Sequence, residues 1–151
     1  KFNIPFTCIS AEGLNREEHE DKMIAKINEY EPELIVLAKY MRILTSKFVE
    51  TFPKKVLNIH HSFLPAFIGA NPYKQAHERG VKIIGATAHY VTNDLDEGPI
   101  IFQDVVRVDH SYSWEDMRNA GRNVEKIVLS NAFEMLLNDR VFVHGNKTVI
   151  L

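Results

Sequence analysis

The chain has 151 residues, 45% of them hydrophobic, which is enough for one domain with its own core. Its net charge is −2 and its 18 Lys and Arg are scattered, so no nucleic acid is expected as a partner and small-molecule chemistry is favoured. No membrane partner is expected either: the apolar runs are as short as LIVLA at 34–38, against the roughly 20 residues a spanning helix needs.

The opening KFNIPFTCIS has neither a sustained apolar run nor an initiating Met, so it reads as an N-terminal truncation rather than a signal peptide or a natural start. Residues 5–10, PFTCIS, read as a short strand. Cys8, the single cysteine, reads as a small core residue in a reducing compartment, since it has no partner for an internal disulfide. From about Asn15 to Tyr30 the spacing of Met23, Ile24, Ile27 and Tyr30 predicts a helix, capped by Asn15 with Glu18 three residues on. The charged run REEHEDK at 16–22 reads as its solvated face.

ELIVLA at 33–38 is a continuous apolar strand of the doubly buried kind, followed by a short helix at 45–51 and the strand KVLNIH at 55–60. A helix over 72–79 closes at Gly80, and strands over 85–92 and 100–108 flank a loop that contains LDEGP. Ser113 and Asp116 form a capping box on the longest helix. Its apolar stripe is Met117, Ala120, Val124, Ile127, Val128, Ala132 and Met135. VFVHGNKTVI then predicts a hairpin turning at Gly145 and Asn146. Alternating strands and helices give an α/β fold: a mostly parallel central sheet flanked by helices.

Two segments carry the chemistry: LNIHHSFLPAFIGA at 57–70 and LDEGP at 95–99. Asn58 and His60 are two apart on a strand, so their side chains point to the same side, and Asp96 arrives on a separate loop. An amide donor, an imidazole and a carboxylate suit transfer of a small acyl group. The amide holds the developing oxyanion, the imidazole moves a proton, and the carboxylate orients water or the imidazole.

Competing readings are weaker. His60 and His61 face opposite sides of a strand, and recruiting His89 and Asp96 gives no HExxH or CxxC spacing, so no metal is expected. Gly69, Gly80, Gly85 and Gly98 form no phosphate-binding loop and read as turn residues. Ser62 lacks a GxSxG elbow and reads as a hydrogen-bonding turn residue. His89, with Thr87 and Val91 on its face, reads as a buried imidazole behind the site. His19, His77, His110 and His144 lie in polar or terminal settings that carry no argument.

NIHHSFLPAFIGA followed by IGATAHYVTNDLDEGPII resembles the formyltetrahydrofolate-dependent transferase and hydrolase family across nearly the whole chain, most closely its hydrolase branch. The resemblance implies a Rossmann-like formyltransferase fold with Asn58, His60 and Asp96 as the catalytic Asn, His and Asp. It implies that YMRIL at 40–44 edges a pterin pocket and that the loop at 91–96 closes over the ring, making Arg42, Leu44, Val91, Asn93 and Leu95 substrate-binding candidates. It further implies hydrolysis of 10-formyltetrahydrofolate to formate and tetrahydrofolate without a cofactor, feeding purine biosynthesis and balancing one-carbon pools, in a cytoplasmic homo-oligomer.

By the same resemblance, residues 1–151 are a catalytic domain lacking its first strand, loop and helix, and an upstream ACT-type domain is absent from this chain. Formyl transfer to an amine such as glycinamide ribonucleotide is the alternative, with Glu125 where that transferase places a carboxylate near its amine. A non-catalytic folate-binding fragment is the second alternative. Against transfer, His61, Phe63, Phe67 and Ile68 make the acceptor side bulky and apolar, a surface that fits water better than an amine.

Overall fold

The computed structural model describes residues 2–66 and 71–151. In chain order the elements are α1 (Arg16–Asn28), β1 (Ile35–Leu37), α2 (Ser46–Thr51), β2 (Val56–His60), α3 (Pro72–Arg79), β3 (Ile83–Tyr90), β4 (Ile100–Arg107), α4 (Trp114–Leu137), β5 (Val141–His144) and β6 (Lys147–Ile150). Among the described residues a four-stranded sheet has the order β1-β2-β3-β4, and β5 and β6 form a separate hairpin. Gly69, Phe67 and Ile68, singled out from the sequence, lie outside the described residues.

The period of two divides the sheet chemically. Leu57, Ala86, Ala88 and Tyr90 face α4 and pack on Val124, Val128 and Ala132. Val56 faces the other way and packs with Phe48 and Phe52 of the α2 region, joined by Met23, Ile24 and Ile27 of α1. Helices therefore cover both faces, as the alternation of elements predicts. Asn58 and His60 share the parity of Val56, so they project from the face opposite α4, where the α1–α2 cluster ends.

The parallel character of the described sheet is confined to β1 and β2; β3 runs antiparallel to both β2 and β4. For the β3–β4 pair the reason is the short connection between them. Nine residues, with Gly98 and Pro99 at the end, turn the chain back directly instead of crossing over through a helix.

Other expectations are corrected. Residues 5–10 form no strand but follow an irregular path, which leaves Cys8 exposed rather than in the core. The run at 16–22 is not a solvated face throughout: Glu20 is 2% exposed because both its oxygens accept the Thr45 backbone N–H, at 3.0 and 3.2 Å, with the Thr45 hydroxyl as a further donor. His19 is also buried, bonded through Nε2 to the Ile9 carbonyl and 3.4 Å from Arg42 through Nδ1. Tyr30 and Ile127 lie exposed on the margins of their stripes, whereas Met117, Val124, Val128 and Ala132 are buried as the helical period requires.

Candidate active site

His60 ends β2, and the chain that follows is tied to the sheet from below. Thr87, the register partner of His60 on β3, donates its hydroxyl to the Ser62 carbonyl at 2.9 Å and accepts from Leu64 N at 3.0 Å and Gln103 Nε2 at 2.9 Å. Gln103 of β4 also donates to the Leu64 carbonyl at 3.1 Å. The Ser62 hydroxyl donates to the Ala66 carbonyl at 2.6 Å, a turn bond that occupies its proton.

Asp96 comes from the β3–β4 connection in a left-handed conformation, φ 57°, a region that a short polar side chain tolerates better than most. Two contacts fix this loop. Its neighbour Glu97 accepts through its carbonyl from Asn146 Nδ2 at 2.8 Å, so the tip of the β5–β6 hairpin holds it from outside. Gly98 passes so close to β3 that a Cβ there would lie 1.8 Å from the Tyr90 carbonyl oxygen, which only glycine permits.

The result is a cluster around one carboxylate. His60 Nδ1 lies 3.4 Å from Asp96 Oδ2, and His89 Nε2 lies 3.5 Å from Oδ1. Asn58 Nδ2 approaches the same Oδ1 at 3.5 Å and His89 Nε2 at 3.2 Å. The two imidazoles thus address different oxygens of Asp96. The His60 contact, the principal cause, holds the Asp96 carboxyl well below the usual carboxylate range, so it stays ionised. His60 Nε2 is buried and has no hydrogen-bond partner among the described residues.

An open cleft of about 460 Å³ runs from this cluster. Arg42, Leu44, Val91, Asn93 and Leu95 all line it, with Asn58, His89 and Asp96 at one end. His60 is not part of the lining; its ring meets the cluster through Asp96. A second cleft, of similar size, has His61, Phe63 and Tyr73 in its walls and is almost wholly apolar. It contains none of Asn58, His60 and Asp96, so the first is where polar chemistry can occur.

His61 stacks on His60, with centroids 5.4 Å apart and planes at 26°, and burial, followed by the neighbouring His60, pushes its pKa below the ordinary value. Behind it Tyr73 donates its hydroxyl to Glu125 Oε1 at 2.5 Å. Burial and that bond push the phenol far above its usual range. Glu125 is therefore engaged by a neighbour and does not stand free beside the cluster. Sequence reasoning missed Tyr73, Asn146 and the direct contacts of His89; only the shared parity of His89 with Thr87 on β3 pointed toward the last.

The formyl transferase family model matches residues 1–133. The chain belongs to the formyl transferase family. It is 65% identical over 151 residues to the formyltetrahydrofolate deformylase of Escherichia coli (strain K12), covering 100% of this chain and 54% of that protein. The crystal structure of a formyltetrahydrofolate deformylase from Pseudomonas syringae pv. tomato str. DC3000 superposes with a TM-score of 0.94 at 48% identity, over 99% of this chain and 50% of that one. The phosphoribosylglycinamide formyltransferase of Coxiella burnetii shares the formyl transferase fold at a TM-score of 0.91 and 32% identity, over 98% of this chain and 70% of that one. The chain spans about half the length of the curated relatives it matches.

Proposed function

We propose that this protein hydrolyses the N10-formyl group of 10-formyltetrahydrofolate, giving formate and tetrahydrofolate. The observation that carries this reading is the arrangement of His60: its Nδ1 faces an ionised Asp96 while its Nε2 is buried without a partner among the described residues, the disposition of an imidazole held ready to hand over a proton. The deformylase names of the relatives support it, as does the single cleft that contains every folate-site candidate.

In this mechanism the pterin lies between the 40–44 segment and the 91–96 loop, against Arg42, Leu44, Val91, Asn93 and Leu95. Asn58 donates to the formyl oxygen as it becomes tetrahedral. The oxygen of a water bonds to the formyl carbon, the C–N10 bond breaks, N10 takes a proton supplied by His60 through an intervening water, because His60 stands behind the cleft wall, and the proton shed by the attacking water restores His60. Asp96, held far down the pH scale, is a weak base, so its role is to orient the water and stabilise the charged imidazole. No cofactor or metal takes part.

The same reading makes residues 1–151 the catalytic part of a homo-oligomeric, cytoplasmic enzyme that supplies formate for purine biosynthesis and balances one-carbon folate pools. Transfer to an amine is the competing reaction, and the Tyr73 bond to Glu125 speaks against it because one oxygen of that carboxylate is already engaged. Formate release is followed from 10-formyltetrahydrofolate with no amine present. Asn58→Ala and Asp96→Asn should each lower turnover by about 10²–10³ while a folate analogue still binds. Near-normal turnover in either variant refutes the assigned roles, and formate released only when an amine is added establishes a transferase.

A further inference from the structure

The mechanism above gives His89 no task, although it touches both Asn58 and Asp96 and is only 2% exposed. Its Nδ1 lies 2.8 Å from the Tyr90 carbonyl. A carbonyl only accepts, so Nδ1 carries the hydrogen, and in the neutral ring Nε2 is left as a bare acceptor. The group that meets it is the amide of Asn58 at 3.2 Å, directly opposite in the β2–β3 register. An acceptor there repels the amide oxygen and attracts the amide nitrogen, so the ring's tautomer decides which way Asn58 turns.

We propose that His89 is a positioning residue for the hydrolysis: its neutral, Nδ1-protonated ring fixes Asn58 with the amide nitrogen toward the cleft, one N–H on His89 and the other reserved for the formyl oxygen. The inference rests on the reading of Asn58 as the oxyanion donor and says what makes that donor dependable. The second N–H meets Asp96 only at 3.5 Å, the outer limit of a hydrogen bond, and a formyl oxygen at ordinary distance displaces it readily. Without Nε2 only the long contact to Asp96 opposes a turn of the amide that would aim its oxygen at the substrate's oxygen. The arrangement is anchored in turn: Tyr90 N bonds the Pro99 carbonyl at 3.0 Å, and Gly98 leaves the Tyr90 carbonyl oxygen its place.

Two variants test this. His89→Phe keeps a ring but offers no acceptor, whereas the side-chain oxygen of His89→Gln reaches the position of Nε2. Formate release gives kcat and KM for 10-formyltetrahydrofolate, and a ¹H–¹⁵N spectrum follows the Asn58 side-chain amide, identified by its loss in Asn58→Ala. The expected result for His89→Phe is a kcat about tenfold or more lower with KM little changed, the mark of an interaction made in the transition state. His89→Gln should recover most of it. The two amide protons of Asn58 should differ widely in shift in wild type and His89→Gln and draw together in His89→Phe. Asn58→Ala combined with His89→Phe should be no slower than Asn58→Ala alone.

The proposal is overturned if folded His89→Phe stays within about twofold of wild type, if Gln recovers nothing, or if the double variant shows both losses in full. Should His89→Phe not fold, the Asn58 amide shifts of wild type and His89→Gln decide. Normal turnover in Asn58→Ala would instead remove the oxyanion role, with the amide spectrum still reporting whether His89 holds Asn58.

Discussion

Replacing Thr87 by Val should cost this protein about 3 kcal/mol, through the three hydrogen bonds made by one buried hydroxyl. Thr87 is 0% exposed, and a second γ-methyl fills the same space as its oxygen, so packing changes little. The Leu64 N–H and the Ser62 carbonyl are left without their bonds at 3.0 and 2.9 Å, whereas Gln103 keeps its bond to the Leu64 carbonyl. Two buried backbone groups at about 1–3 kcal/mol each, less a small gain from burying a methyl, give the total. At this chain length that corresponds to a fall in Tm of about 6–12 °C. Urea unfolding followed by the fluorescence of Trp114 measures it, with Thr87→Ser as the control that keeps the hydroxyl and should cost about 1 kcal/mol. A Val variant no less stable than the Ser variant would refute the argument that hydrogen bonding at Thr87 anchors the chain beyond His60.

Gly121→Ala inverts the usual helix rule: Ala normally stabilises a helix interior by about 0.5–1 kcal/mol, but here its Cβ would lie 2.2 Å from the Tyr73 ring. A thermal melt should show a loss of about 1–3 kcal/mol, and a gain would show that Tyr73 moves aside freely. Asp96 predicts an acid effect. Because its folded pKa is depressed, its contribution to stability is present above the unfolded value of about 3.9 and is lost as pH falls through the folded value. Unfolding free energy measured downward from about pH 5 should decline more steeply in wild type than in Asp96→Asn, and equal slopes would contradict the contacts assigned to the carboxylate.

The elements from Asn15 onward were legible because each carried its own local signal: capping boxes at Asn15 and Ser113, Pro72 opening α3, Gly80 closing it, and period two across Asn58 and His60. That same period placed Asn58 and His60 on one face. What escaped were features decided at long range. Glu20 reads as a surface charge until the backbone N–H of Thr45, 25 residues away, arrives to be capped. Residues 5–10 have strand-like composition but no strand pairs with them in the described structure, and composition alone does not make a ladder. The contact of His89 with Asn58 depends on β3 returning antiparallel in one particular register, which no local pattern specifies.

That register has an evolutionary corollary. Asn58 and His89 face each other across a ladder in which a single inserted or deleted residue swings every later side chain to the opposite face, toward α4 and away from the cleft. The lengths of β2 and β3 are therefore not free to drift, whereas in the stretch between them the described residues 72–82 make no contact with the amide or the imidazole, and length there can vary without moving either. Homologous chains should accordingly differ by insertions and deletions in that connection while the strand lengths stay invariant. Asp96 obeys a different constraint, because its place is set by a turn: its loop is bounded by Gly98 on one side and the Asn146 bond on the other, and length changes there would have to occur together with changes in the terminal hairpin.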